Sequence, residues 1–331
     1  MTDTVAARLV GIDDVRRAAA TLRGIAIETP LVPFGPPAAR HLLKAESLQP
    51  IGAFKIRGAY VAVASLSDDE RRRGVITYSS GNHAQGVARA ARLLGSPAVV
   101  VMPSDAPAIK RDRVAADGAR IVVVGPSSEE RRLTAEDIAA REGLVIIPPF
   151  DDDRIIAGQG TIGLEIAETL PDVAAVVMPI GGGGLASGIA VAIRALAPQA
   201  RLIGVESELA ADARDSLAAG RIVAWPAADV GRTIADGTRT TSLGPRTFAH
   251  LSALLDDIVT VSEAEIAAGV RLAAEESRLV VEPSGALPVA AMRFRAGEAR
   301  LDGLVGPVVG VVSGGNVDPE RYRALLASPI P

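Results

Sequence analysis

Short apolar, β-prone runs alternate with helical segments along most of this chain, and this alternation restricts the fold more than any other feature. Four such runs lie between residues 74 and 150, separated by helical stretches of about a dozen residues, and the pattern resumes after residue 150. Strands joined through helices of this length form βαβ units, whose strands lie parallel in one sheet. The sequence therefore predicts an α/β protein with two open, mainly parallel twisted sheets that carry helices on both faces.

The same alternation predicts how the chain divides into domains. Residues 74–150 are expected to form a small inserted α/β domain, and residues 1–73 together with 151–331 a large domain, with Pro148–Asp153 as the linker. The Pro-rich segment Pro30–Pro37, near the start of the large domain, is predicted to be irregular.

Composition excludes several classes of protein. The 331 residues contain no cysteine, which excludes disulfides, thiolate zinc sites and a catalytic cysteine. The formal net charge is −4 and no long basic block occurs, so nucleic-acid binding is not expected. The uncharged run Val173–Ile193 has the length of a membrane span, but Pro179 and Gly181–Gly184 interrupt it, so we expect a strand, a loop and a buried helix, and no membrane association. Since no signal sequence is visible, we expect a cytoplasmic protein, with a homodimer as the commonest assembly.

Only three of the 35 basic residues are lysines, which limits where amine chemistry can occur. Arginine cannot form a Schiff base and is effectively never deprotonated. Lys55 stands in an apolar context, Ile51–Gly58, which should remove water from its amine and lower its pKa, as a Schiff-base lysine requires. Lys110 is predicted on a solvated helix face, and Lys44, close to Glu46, is expected to make an ion pair.

Gly181–Gly184 follows a predicted strand, at the sheet edge where α/β proteins bind ligands. Glycines let a phosphate approach the backbone closely, and the helix that follows supplies free N–H groups and a positive dipole end. A plain tight turn is one alternative. A relaxed dinucleotide fingerprint, with Gly188 in the helix and Glu206 on the ribose, makes an NAD-dependent oxidoreductase the alternative from another class.

Three further strand ends carry polar residues. The run Ser79–His83 opens a helix, and its hydroxyls and free N–H groups suit a carboxylate, although N-capping alone would explain them. Ser313 follows an apolar strand and should point into a buried site, whereas Glu282–Ala286 is expected to be ordinary turn chemistry. No G-x-S-x-G elbow exists, so a hydrolase triad with His83 is unsupported, and packing in the first helical turn is the expected role of that residue.

These segments and a few others form one ordered set: Gln49 with Gly52–Ala59, Ser79–Gly86, Asp151–Thr161, Pro179–Gly184, Ala235–Gly237, Glu282–Gly285 and Ser313–Asn316. The set resembles the motifs of the fold-type II pyridoxal phosphate (PLP) enzymes, and it is most similar to the threonine/serine dehydratase and serine racemase family. The resemblance covers nearly the whole chain. It implies PLP as cofactor, bound by the large domain, and a fold like that of the tryptophan synthase β subunit.

The family implies roles for individual residues. Lys55 would hold PLP as a Schiff base and then remove the substrate α-proton. Phe54 and Gly237 would flank the cofactor ring, Asn82 would bind the ring hydroxyl, and Ser313 would face the pyridine nitrogen. The implied cofactor-binding residues are Phe54, Lys55, Asn82, Gly181, Gly182, Gly183, Gly184, Gly237, Glu282 and Ser313. The implied residues for the substrate carboxylate are Ser79, Ser80, Gly81, Asn82 and His83.

Two serines bear on the reaction that the family implies. A neutral Ser313 hydroxyl cannot keep the pyridine nitrogen protonated, which weakens the ring as an electron sink and favours loss of a β-hydroxyl. Ser80 occupies a place where threonine dehydratases commonly have Ala, while serine racemases and 3-hydroxyaspartate dehydratases have Ser. As a second catalytic group on the face opposite Lys55, its hydroxyl would permit racemisation. The alternative is that Ser80 only binds the carboxylate.

Glu206, Ala210 and Asp212 have the spacing at which related racemases and dehydratases bind a divalent cation. Two carboxylates and a backbone carbonyl suit a hard cation, Mg²⁺ first, with Ca²⁺ or Mn²⁺ as alternatives. The alternative is that no metal binds and that Asp212 is a solvated residue on a helix. A metal at this place also removes Glu206 from the dinucleotide alternative.

The resemblance predicts a PLP-dependent ammonia-lyase that deaminates a small β-hydroxy amino acid, L-threonine or L-serine, to a 2-oxo acid and ammonia. Serine racemase and 3-hydroxyaspartate dehydratase are the alternatives within the family. An NAD-dependent oxidoreductase and a non-catalytic metabolite-binding protein are the alternatives outside it. Because the sequence ends soon after Ser313–Asn316, we expect no C-terminal regulatory domain.

Overall fold

The structure is a computed structural model that describes residues 8–79, 81–106, 108–125 and 127–331, and its strands form two sheets. The strands are β1 (Leu31–Phe34), β2 (His41–Ala45), β3 (Val75–Tyr78), β4 (Ala98–Pro103), β5 (Arg120–Val124), β6 (Val145–Ile146), β7 (Ala175–Pro179), β8 (Arg201–Ser207), β9 (Asp257–Val261) and β10 (Val308–Val312). A six-stranded sheet has the order β1-β2-β10-β7-β8-β9, and a four-stranded sheet has the order β5-β4-β3-β6. All neighbours pair in parallel except β1 and β2.

Helices connect these strands. They are α1 (Ile12–Thr21), α2 (Ile56–Ala64), α3 (Asp68–Arg73), α4 (Asn82–Leu93), α5 (Ala108–Ala116), α6 (Ser128–Glu142), α7 (Asp153–Thr169), α8 (Gly184–Leu196), α9 (Asp212–Ala219), α10 (Ala227–Val230), α11 (Pro245–Leu254), α12 (Glu263–Ser277), α13 (Pro283–Phe294) and α14 (Pro319–Leu326). Short 3₁₀ turns occupy Pro37–Ala39, Glu46–Leu48 and Asp236–Thr238.

Both sheets are covered by helices on their two faces. In β7, Val176 packs with residues of α7 and α8, whereas its neighbour Val177 packs with residues of α12 and α13. In the four-stranded sheet, Val100 packs with α4 and α5, and Val101 packs with α6. This alternation follows from the two-residue period of a strand, and it confirms the predicted α/β class with two mainly parallel sheets. The residues of the four-stranded sheet fall within 74–150, and the domain boundaries themselves stay a prediction.

The prediction of an irregular segment over Pro30–Pro37 was wrong for residues 31–34, which form β1. This strand lies at the edge of the six-stranded sheet and pairs antiparallel with β2, with Pro33 opposite Leu42. An edge strand tolerates proline because one of its sides needs no ladder hydrogen bonds. The four prolines of Pro30–Pro37 therefore concealed a strand that the sheet order reveals.

The long uncharged run Val173–Ile193 divides as expected into β7, a glycine turn and the first part of α8. Among the helices of the described residues, none combines the length and the apolar character needed to cross a bilayer.

Helix α2, which begins directly after Lys55, packs very closely on α7. A Cβ added to Gly158 of α7 would lie 2.6 Å from the Cα of Gly58 in α2, so the two glycines allow the backbones to touch. This close crossing holds the start of α2, and with it Lys55, against α7.

A buried ionic cluster of Lys44, Glu46, Arg57 and Glu165 lies under the start of α2. The guanidinium of Arg57 donates to the carboxylates of Glu46 at 2.8 Å and Glu165 at 2.5 Å. Lys44 makes the expected ion pair, but with Glu165 at 2.6 Å. Burial opposes charge on Arg57, yet the two carboxylates raise its pKa, so the cation is kept. Removing one partner of such a cluster leaves a buried charge without its counterion.

We expect Glu46→Ala to lower the free energy of unfolding by about 3 kcal/mol or more, because it strips Arg57 of one of its two carboxylates in a fully buried position. Chemical denaturation followed by circular dichroism measures this change. The matched control is Glu275→Ala, which breaks an exposed ion pair with Arg271 on α12 and should change stability little. Equal effects of the two substitutions would contradict a stabilising role for the buried cluster.

Candidate active site

Strands of both sheets end at one cavity of about 580 Å³. The ends of β3, β7 and β10 contribute Ser79, the Gly181–Gly184 turn and Ser313 to its wall, and Lys55 lies in the wall beside them. Every described residue that the resemblance implied for the cofactor or for the substrate carboxylate lines this cavity. Ser80 lies outside the described residues. The fold therefore brings together segments that are far apart in the sequence.

Lys55 is positioned by backbone pairing between its own loop and the end of β10. The Phe54 N–H donates to the Ser313 carbonyl at 3.0 Å, and the Gly315 N–H donates to the Gly52 carbonyl at 2.9 Å. An isolated antiparallel bridge between residues 53 and 314 lies between these two bonds. The lysine loop is thus attached to the strand end that carries Ser313, and Lys55 itself is the cap residue of α2.

The environment of Lys55 favours a neutral amine. Burial lowers the pKa of the Lys55 amine to about 8, because an ammonium loses its hydration there. Its Nζ donates to the Pro149 carbonyl at 2.8 Å and lies 5.0 Å from the centre of the Phe54 ring. An amine with a pKa near neutrality is a competent nucleophile toward a carbonyl carbon and a competent base.

The glycine turn has the geometry of an anion site. Gly183 has φ of +88° and caps α8, whose first N–H groups lack helical partners. A Cβ on Gly182 would lie 2.2 Å from the Phe150 ring, so this position has no room for any other residue. Free N–H groups and the positive end of a helix dipole suit a phosphate.

His83 lies buried in the first turn of α4. Its Nε2 contacts the Ile147 carbonyl at 3.1 Å, which assigns the ring proton to Nε2, because a carbonyl can only accept. Burial and the Lys55 charge lower the pKa of His83 to about 3, so the ring stays neutral. A neutral imidazole tied to the backbone is suited to packing rather than to proton transfer.

Lys110 does not lie on a solvated helix face, as its sequence context predicted. It lines the cavity, and its Nζ pairs with the Asp236 carboxylate at 2.6 Å. The charged neighbours Arg111 and Asp112 indicated a solvated helix face, and the partner lies 126 positions away in the sequence, so local context carried no signal for it.

The segment Glu282–Ala286 begins α13, with Pro283 in the first turn as ordinary turn chemistry predicts, but it also contributes to the cavity. Glu282 and Ser284 both line the cavity. The Ser284 hydroxyl accepts a hydrogen bond from the Gly237 N–H at 2.8 Å, which connects two of the motif segments. Burial and the Asp236 charge raise the pKa of Glu282 to about 7.

Glu206, Ala210 and Asp212 form a separate buried site at the end of β8. The Glu206 carboxylate accepts hydrogen bonds from the N–H groups of Ala213 at 3.1 Å and Arg214 at 2.8 Å, in the first turn of α9. Both carboxylate oxygens of Asp212 are buried and have no hydrogen-bond partner among the described residues. Burial and the charge of Asp212 raise the pKa of Glu206 well above its usual range. Asp212 is therefore not solvated, and Glu206 is occupied by helix N–H groups rather than free for a ribose.

Comparison with known proteins shows which family this chain is similar to. The family model described as "Pyridoxal-phosphate dependent enzyme" matches residues 22–314. The chain is 43% identical over 290 residues to the L-threo-3-hydroxyaspartate ammonia-lyase of Saccharomyces cerevisiae, covering 87% of this chain and 86% of that protein. It is 41% identical to the L-threonine ammonia-lyase of Thermotoga maritima, covering 94% of this chain and 76% of that protein. The solved structure of maize serine racemase has a TM-score of 0.88 at 36% identity and covers 96% of this chain and 97% of that one.

The fold is that of a PLP-dependent enzyme, and the chain belongs to the pyridoxal-phosphate dependent enzyme family. Its relatives are threonine dehydratases, serine racemases and hydroxyaspartate ammonia-lyases, so it is an enzyme of this type. The oxidoreductase and the non-catalytic alternatives are therefore not supported.

We expect PLP to react with Lys55 faster as the pH rises through about 8, because only the neutral amine attacks the aldehyde and burial lowers the pKa of Lys55 to that value. Borohydride reduction followed by peptide mass spectrometry locates the adduct. Lys55→Ala should abolish it, while Lys110→Arg, which keeps a cation beside Asp236, should retain it. An adduct on Lys44 or Lys110 in the native protein would refute the assignment.

Proposed function

We propose that this protein is a PLP-dependent ammonia-lyase that deaminates a small β-hydroxy amino acid, L-threonine or L-serine, to a 2-oxo acid and ammonia. The observation that carries the proposal is the cavity in which the amine of Lys55, with its pKa lowered to about 8, faces a glycine turn suited to phosphate and the neutral Ser313. The family match and the activities of its relatives support the same reading.

Different residues of the cavity would bind the cofactor, bind the substrate and transfer the proton. When bound, PLP stabilises the negative charge left on the substrate Cα after its proton is removed. The N–H groups at Gly181–Gly184 would hold the cofactor phosphate, and the backbone and hydroxyl of the Ser79–His83 loop would hold the substrate carboxylate. Lys55 would anchor the cofactor and, once released, take the α-proton on Nζ. Ser313 would leave the ring nitrogen without a counterion, which favours departure of the β-hydroxyl.

The identity of the substrate depends on what faces the β-carbon. L-Threonine and L-serine need no charged partner there, and the hydroxyl side chains of Thr240, Thr241 and Ser242, next to Arg239, line part of the cavity. A panel of L-serine, D-serine, L-threonine and both 3-hydroxyaspartate diastereomers, assayed for 2-oxo acid release, tests this proposal. Chiral analysis of the remaining amino acid tests the racemisation that Ser80 would permit. Absence of 2-oxo acid with every member of the panel would overturn the lyase assignment.

One observation favours 3-hydroxyaspartate as the second candidate. Arg131, on α6, lines the cavity, and burial lowers its pKa, with the charge of Asp105 acting in the opposite direction. A guanidinium in the wall of a ligand cavity can bind a carboxylate of the ligand. The β-carboxylate of 3-hydroxyaspartate would supply such an anion, and bidentate binding of a carboxylate is the geometry that guanidinium groups favour.

If 3-hydroxyaspartate is a substrate, we expect Arg131→Gln to lower its kcat/KM about ten- to a hundredfold, because a charge-assisted pair contributes about 1.5–3 kcal/mol. The change for L-serine should be much smaller. The matched control is Arg132→Gln, since the neighbouring Arg132 also lines the cavity and carries the same charge. Equal losses for both substrates in Arg131→Gln would count against a β-carboxylate site.

We also propose that Glu206, Asp212 and the Ala210 carbonyl hold a divalent cation, with Mg²⁺ first. Two buried carboxylates on one short stretch, one of them with no hydrogen-bond partner among the described residues, fit a hard cation that prefers oxygen ligands. The cation would neutralise charge that the fold otherwise leaves uncompensated, and it would stabilise the turn between β8 and α9.

We expect Mg²⁺, Ca²⁺ or Mn²⁺ to raise the melting temperature of chelator-treated protein by several degrees, because a ligand that binds only the folded state stabilises it. Asp212→Asn should abolish the rise, whereas Asp229→Asn, at an exposed carboxylate, should leave it unchanged. A melting temperature that responds to none of the three cations would rule the site out.

A further inference from the structure

The side chain of Asn82 is held at both ends by other side chains. Its Nδ2 donates to Oε1 of Glu282 at 2.6 Å, and its Oδ1 accepts from Nδ2 of Asn316 at 2.8 Å. Asn82 lines the cavity, and these partners lie 200 and 234 positions away in the sequence. An amide nitrogen carries two hydrogens, so one N–H of Asn82 is left for a ligand in the cavity.

The direction of this chain of hydrogen bonds is set at its far end. Oδ1 of Asn316 accepts from the Arg113 guanidinium, and Nδ2 of Asn316 donates to the Ile51 carbonyl at 2.8 Å. A guanidinium can only donate and a carbonyl can only accept, so the Asn316 amide has one orientation that satisfies both. Asn316 must then present a donor to Asn82, and Asn82 must turn its own donor toward Glu282.

Glu282 accepts the hydrogen bond at the other end of this series, from Asn82. It is almost fully buried, and the charged groups around it are Asp236 in the 3₁₀ turn and Lys110 and Arg113 on α5. An ionised carboxylate can only accept, which enforces the same orientation of Asn82. A protonated carboxyl can donate as well, and the constraint from this side is then released.

We propose that Asn316 and Glu282 are positioning residues that fix the orientation of the Asn82 amide, so that its remaining N–H is presented to the ring oxygen of PLP. This goes beyond the direct cofactor contact implied for Glu282, and it adds Asn316 and Arg113, which the sequence analysis did not single out as site residues. The proposal rests on PLP binding in this cavity and is independent of the amino-acid substrate.

The proposal has a pH dependence with a definite sign. Burial and the Asp236 charge raise the pKa of Glu282 to about 7, so the enforcing carboxylate is present above that pH and is lost as the pH falls through it. The electronic environment of the cofactor ring oxygen should therefore change near pH 7. Glu282→Gln keeps an acceptor for Asn82 but removes the titration, so the change near pH 7 should disappear while PLP still binds.

The test uses wild-type protein, Asn316→Asp, Arg113→Lys, Arg113→Met and Glu282→Gln, each stripped of PLP and titrated with it by fluorescence. An aspartate at 316 accepts from Arg113 but cannot donate to Asn82, so we expect its Kd for PLP to rise on the order of tenfold. Arg113→Lys keeps a pure donor and is the matched control, with affinity close to wild type. The visible absorbance of the bound cofactor is then followed against pH in each variant.

Two results would overturn the proposal. One is wild-type affinity for PLP in both Asn316→Asp and Arg113→Met. Arg113→Met is the second variant in case Asn316→Asp fails to fold, and it alters a side chain that is only half-buried. The other is an absorbance change near pH 7 that persists unaltered in Glu282→Gln, since a merely structural residue would leave that titration unmoved. Failure of the wild-type protein to bind PLP would instead refute the proposed function, which keeps the two failures distinct.

Discussion

The short backbone pairing between the lysine loop and the end of β10 is the interaction on which the site depends. It joins the Phe54 N–H to the Ser313 carbonyl and the Gly315 N–H to the Gly52 carbonyl, and so places an amine on one segment beside a hydroxyl on another. The buried ionic cluster around Arg57 and the glycine contact between α2 and α7 fix the start of α2, which follows this loop directly. Lys55 is thus held in a position where loss of hydration lowers the pKa of its amine to about 8.

Charge in the cavity is arranged to receive anions. Lysine and arginine side chains from α5, α6 and the loop after the 3₁₀ turn line the cavity. Asp236 neutralises Lys110, and the raised pKa of Glu282 lets this carboxyl exist in either state near neutral pH. The second buried carboxylate site, at Glu206 and Asp212, is separate, and the charge of Asp212 together with burial raises the pKa of Glu206 there.

Much of the fold was predictable because its signals are local. Apolar runs of strand length and helical stretches between them gave the α/β class, and the apolar neighbours of Lys55 distinguished it from the other two lysines. The predictions that were wrong concern residues whose structure depends on contacts between distant parts of the sequence. The sequence did not predict β1, because Pro33 disfavours a strand except at the edge of a sheet. It predicted a solvated Lys110, because its partner, Asp236, is 126 positions away in the sequence. The turn at Glu282–Ala286 has ordinary composition, and only its place beside the cavity gives it a role.

By itself, the sequence determined the chemistry available to this protein: one lysine in an apolar context, glycine-rich strand ends, and no thiol. These follow from residue types and near neighbours, which a linear pattern records directly. Only the tertiary structure decided which of these side chains contact one another. It pairs Lys44 with Glu165, places Lys110 at the cavity, and sets Asn82 between Asn316 and Glu282. The physical reason is that hydrogen bonds and ion pairs require atoms within about 3 Å, and chain folding sets that proximity independently of separation in sequence.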